Sequence, residues 1–79
     1  MNDIVWDNIM LKEFRSLARL SSDEEKVLQH WADSKSVVES SFLLNVSPRT
    51  IDRIRDRIRF KYDAVQIYTP LLPKRNIVS

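Results

Sequence analysis

The residues best suited to chemistry lie in one run, SPRTIDRIRDRIRFK at positions 47–61, and the chemistry they suit is anion recognition. Arginine offers a planar, permanently charged fork that grips a guanine edge or a phosphate with two hydrogen bonds. Wound as a helix at about 100° per residue, the run puts Ile51, Ile54 and Ile58, followed by Tyr62, on one face. Arg49, Arg53 and Arg57 form a stripe on the other, flanked by Asp52 and Asp56. Arg49 and Arg53, nearest the helix start, are expected to reach base edges in a DNA major groove. Asp52 has the chemistry to accept from cytosine. Ser47 and Thr50 stand where hydroxyls and backbone N–H groups hold a phosphate. Arg55, Arg59 and Lys61 are expected to clamp phosphates further along. The competing reading is a self-paired solvated face, since exposed ion pairs contribute only about 0–1 kcal/mol.

Other chemistries find little support. There is no cysteine, which excludes disulfides, thiolate metal sites and cysteine nucleophiles, and His30 is the single histidine. Glycine is absent, which argues against phosphate-cradling glycine loops and favours helices joined by short turns. Asp23, Glu24 and Glu25 read as acidic first-turn residues of a helix and not as an acid–base pair. Trp31 reads as core and His30 as surface. No catalytic residue, cofactor or metal is expected, and the chain does not read as an enzyme.

The charge is unevenly distributed. Residues 1–44 carry five basic against eight acidic side chains, a net −3, whereas residues 45–79 carry eight against three, a net +5. That division marks the second half as the end that faces a polyanion.

The elements that must position this run are helical. Apolar residues at helical spacing, with Trp6, Ile9, Met10, Phe14 and Leu17 among them, predict a helix over 3–19. Ser21 and Ser22, each three residues before a glutamate, predict the start of a second over 22–34, and Ser36 with Glu39 that of a third over 36–44. Ser47 as N-cap with Pro48 at the first helical position opens a fourth over 48–63. Pro70 and Pro73 predict an extended tail over 66–79. The fold class is therefore all-α: one domain, 1–79, with a three-helix core, an N-terminal helix and a C-terminal tail.

Within 36–62, SVVESSFLLNVSPRTIDRIRDRIRFKY carries the features of a helix-turn-helix. Ser41 is small where the helices cross. Asn45 is the residue that best replaces glycine at a left-handed turn. Val46, Ile51 and Ile54 are the apolar locks. The usual aliphatic position one residue before the crossing holds Ser40, and Val38 or Phe42 is expected to fill its space.

The segment VLQHWADSKSVVESSFLLNVSPRTIDRIRDRIRFKY resembles the LuxR/GerE-type DNA-binding domain, and region 4 of sigma factors is similar in layout. The matching residues are Val27, Leu28, Ala32, Ser36, Glu39, Leu44, Val46, Ser47, Thr50, Ile51, Ile58 and Lys61. A weaker resemblance is to short helix-turn-helix regulators of phages and mobile elements. These resemblances imply a transcription regulator whose partner is double-stranded DNA, with RNA polymerase as a further expected contact. The N-terminus, MNDIVWDN, is acidic where a secretory signal would be positive, which predicts a cytoplasmic protein. The usual C-terminal dimerisation helix is replaced here by AVQIYTPLLPKR. A homodimer through Trp6, Ile9 and Met10 is expected instead, with Phe60 and the tail as the alternative surface. The alternative function is a small protein-binding module that grips RNA polymerase or another host protein. No run of residues is apolar and long enough to span a membrane.

Overall fold

A computed structural model of the chain describes residues 4–75. The fold is all-α, with four helices in chain order: α1 (Asn8–Leu17), α2 (Ser22–Ala32), α3 (Val37–Leu44) and α4 (Pro48–Gln66). Local chemistry sets most of their starts. Ser21 with Glu24 and Ser36 with Glu39 form complete capping boxes, each side chain bonding the other residue's backbone N–H. Ser47 accepts from the Thr50 N–H at the head of α4, and Pro48 follows it.

Boundaries differ from the sequence expectation by a few residues: α1 ends at Leu17 and not at 19, α3 begins at Val37 after the Ser36 cap, and three larger differences have local causes. α1 begins at Asn8 because the Asp7 carboxylate caps it, accepting from the Met10 N–H at 2.8 Å. The expected start at residue 3 lies outside the described residues. α2 stops at Ala32, and Ser34 then takes a left-handed φ of 64° to turn the chain. α4 runs on to Gln66, after which the chain is not an extended strap but turns back on itself. Leu72 is thereby buried in the core, the Tyr62 hydroxyl donates to the Pro73 carbonyl, and Arg75 pairs with Asp63 at 2.5 Å. The remainder of the expected tail, 76–79, lies outside the described residues.

α4 is the central strut and touches each of the other three helices. Its Ile51, Ile54, Ile58 and Tyr62 pack with Phe14 of α1 and Val27 and Leu28 of α2. An aromatic cluster closes one end. The Trp6 ring lies 5.2 Å from Phe14, 5.6 Å from Tyr62 and 5.8 Å from Trp31, tilted or edge-on as ring quadrupoles prefer. Much of the wide apolar arc of the N-terminal segment is thus consumed within one chain. Met10 is buried and Trp6 half-buried, leaving Ile9 as the exposed member of the expected dimer trio.

The position expected to be filled by Val38 or Phe42 is filled otherwise. Ser40 is fully buried, and its hydroxyl lies 2.9 Å from His30 Nδ1. The half-buried imidazole satisfies the hydroxyl that an aliphatic side chain would have made unnecessary. Val38 and Phe42 point outward, Phe42 with 82% of its surface exposed.

Candidate functional site

The site is built on the junction of α3 and α4. Asn45 ends α3 in the left-handed region, φ 56° and ψ 46°. The Val46 N–H donates to the Ser41 carbonyl at 3.0 Å, the six-to-one bond of a Schellman closure. Ser41 is buried beside this turn and donates its hydroxyl to the Val38 carbonyl at 2.6 Å. Asn45, Val46 and Ser47 then lead directly into α4, with the Ser47 and Thr50 hydroxyls 3.0 Å apart at its first turn. The geometry fixes the start of α4 closely against α3 and leaves that first turn at the surface.

Arg49, Asp52, Arg53, Asp56 and Arg57 are all exposed on α4, away from its isoleucine face, and Thr50 is half-buried. Among the described residues Arg49, Asp52 and Arg53 take part in no ion pair. Asp56 accepts from Arg59 at 2.7 Å. Arg57 has 61% of its side chain exposed, with Nε 3.9 Å from Glu24 Oε2, a contact loose enough to be exchanged.

The three expected phosphate clamps, Arg55, Arg59 and Lys61, are placed differently from the exposed stripe of Arg49, Arg53 and Arg57. Arg55 is buried: its guanidinium lies 4.7 Å from the centre of the Trp31 ring and donates to the Lys35 carbonyl at 3.0 Å. Arg59 lies over the same ring at 4.9 Å. An arginine stem covers apolar surface while its flat head stacks on the indole, so both residues hold α4 against α2. Lys61 donates to the Arg19 carbonyl at 2.5 Å and to Glu24 Oε1 at 2.6 Å. The wheel carries a signal for Arg55, which borders the inner stripe beside Ile51, Ile58 and Tyr62. The role of Lys61 depends on where the start of α2 lands, which local spacing does not encode.

Glu24, not expected to do more than cap a helix, proves to be a hub. It is 97% buried from solvent yet ionised, and carries Lys61, Arg57 and the Ser21 N–H. Burial pushes its pKa up. The hydrogen bonds from Lys61 and Ser21 and the charges of Lys61 and Arg57 outweigh that and hold the carboxyl below its ordinary value. Asp63 is likewise held low by its hydrogen bond to Arg75.

Among the described residues no group of three or more histidine, cysteine, aspartate or glutamate side chains is placed to hold a metal ion. Nor is any helix there long and apolar enough to cross a membrane. These features define an all-α, four-helix protein with an arginine-bearing outer face on its longest helix. Comparison with protein-family models, curated proteins and solved structures gives no match for the chain.

Proposed function

We propose that the chain is a sequence-specific DNA-binding regulator that lays the first turns of α4 in the major groove. The observation that carries this is the pairing of a rigidly capped helix start with two exposed arginines, Arg49 and Arg53, one turn apart and in no ion pair among the described residues. The α3–α4 junction, with its left-handed Asn45, supports a helix-turn-helix reading. Arg57 extends the stripe, and Ser47 and Thr50 are suited to phosphate at the helix start. Arg55 and Lys61, occupied within the fold, are left out of the contact surface, and Arg59 is assigned to the Trp31 stack. Asp52 and Asp56 weaken indiscriminate phosphate binding and so favour discrimination between sequences over general affinity.

The test is selection of duplexes from a random pool, followed by mobility shift across salt concentrations. Replacing Arg49 and Arg53 with alanine should remove roughly 1–3 kcal/mol per bidentate contact without loss of helicity. Unchanged affinity in the double variant, or no enrichment of any duplex, refutes the reading.

A second reading, a protein-binding module, is favoured by a separate observation: α3 exposes Val38, Phe42 and Leu43 to solvent. Salt separates the two, since phosphate binding falls steeply with ionic strength and an apolar interface does not.

A further inference from the structure

A cavity of about 90 Å³ opens between α2 and the α3–α4 junction. Leu44 at the end of α3, Val46 in the turn and Ile54 of α4 supply its apolar lining, Thr50 lies beside them, and Asp23 and Lys26 of α2 complete it. Ile54 is buried, whereas Asp23 and Lys26 are exposed, so the cavity runs from an apolar inner end to a charged outer one. Asp23 and Lys26 stand three residues apart, neighbours on one face of α2. They take part in no ion pair, with each other or with any other described residue. A carboxylate and an ammonium, adjacent but not joined, at the open end of an apolar cleft, suit a ligand that carries both charges on one carbon and an apolar group beside them. Volume sets the size of that group. An apolar cavity of about 150 Å³ takes benzene, with its six carbons. On that scale this one takes roughly three or four carbons, and an isopropyl group has three.

We propose that this cavity binds a small aliphatic α-amino acid of about valine's size. The ligand's ammonium group meets Asp23, its carboxylate meets Lys26, and its side chain rests against Leu44, Val46 and Ile54. A monocarboxylate or a monoamine would leave one charge of α2 without a partner, and glycine would leave the apolar end unfilled. Because Asp23 and Lys26 are exposed, solvent screens both contacts and the complex is of roughly millimolar strength. The occupant touches α2, the turn and α4 together, so it favours the present placement of α4 over any in which α4 shifts against α2. A zwitterion adds no net charge beside the arginine stripe. Valine therefore raises affinity for duplex, and duplex raises affinity for valine by the same factor. That coupling rests on the DNA-binding reading above, whereas the ligand site itself does not.

The experiment is titration of the isotope-labelled wild type with L-valine, followed through backbone amide shifts by NMR. Saturable shifts should centre on Leu44, Val46, Thr50 and Ile54. Glycine, isovalerate and isobutylamine lack the side chain, the ammonium and the carboxylate in turn. Each should bind about tenfold more weakly or worse, the loss expected for a hydrogen bond to a charged group or for an unfilled apolar end. No saturable shift at tens of millimolar valine overturns the proposal, as does equal binding of valine and the three truncated compounds. Asp23→Asn and Lys26→Gln should each weaken valine by a similar factor with helicity unchanged, and undiminished affinity in both overturns the assignment to this cavity. Mobility shift on selected duplex separates the two readings. Valine should raise duplex affinity several-fold in the wild type and leave it unchanged in the Lys26→Gln variant. If valine saturates the cavity and no duplex is bound, the ligand site stands and the DNA reading fails. If duplex is bound and valine is not, the ligand site fails alone.

Discussion

Glu24 and Glu39 close identical capping boxes in different surroundings, and that difference is measurable. Glu24→Ala removes the acceptor for the Ser21 N–H, a loss of about 1 kcal/mol for a cap of this kind. It also removes the partner of Lys61. A charge-assisted hydrogen bond contributes about 1.5–3 kcal/mol. The low end applies here, because the Lys61 side chain is 34% exposed and keeps the Arg19 carbonyl. The total is roughly 2–3 kcal/mol, which for a domain of this size lowers Tm by roughly 10–20 °C. Glu39 is exposed and, among the described residues, forms no ion pair, so Glu39→Ala should lose clearly less. Glu24→Gln keeps an acceptor for Ser21 but not the charge, and should fall between. Because the folded Glu24 carboxyl is held below its unfolded value, its contribution is complete above the ordinary carboxylate range and is lost as pH falls through the lowered value. Thermal melts followed by circular dichroism at neutral and acidic pH read all of this. Equal losses for the Glu24→Ala and Glu39→Ala variants at neutral pH would refute the hub.

Two further outcomes follow from the turns. Asn45 sits at φ 56°, so Asn45→Gly should be neutral or mildly stabilising, whereas Asn45→Val should cost roughly 1–2 kcal/mol; equal melting temperatures would contradict the strain argument. Tyr62→Phe keeps the ring in the core but removes the donor to Pro73. It should cost about 1 kcal/mol and hasten tryptic cleavage after Lys74, and an unchanged cleavage rate would mean that the tail is held by Leu72 and Arg75 alone.

What the sequence makes legible here is what is decided within one turn of chain. Ser21, Ser36 and Ser47 announce three helix starts because a cap bonds N–H groups only a few residues away. Asn45 announces the left-handed turn for the same reason, and the isoleucine spacing orients α4 correctly. The losses are tertiary. Arg59 and Lys61 look like their exposed neighbours in the string, and only the arrival of Trp31, Arg19 and Glu24 gives them interior work, whereas Arg55 is marked by its place beside the isoleucine stripe but not by its partner Trp31. Ser40 seems misplaced until His30 is seen across from it. Met10 and Trp6 suggested surplus apolar area because spacing along one helix does not show that Trp6 meets the rings of Phe14, Trp31 and Tyr62, or that Met10 joins the same core.

The division of α4 into an inner and an outer set has an evolutionary consequence. Ile51, Ile54, Arg55, Ile58 and Tyr62 hold the other helices in place, while Arg49, Asp52 and Arg53 contribute almost nothing to the packing. Substitutions at these outer positions are therefore close to neutral for folding, since exposed changes usually stay within about 0.5 kcal/mol. Under the function proposed above, the set of targets for this helix can drift by single steps through foldable intermediates. A lineage could replace its partner entirely while its scaffold remained, residue for residue, the same.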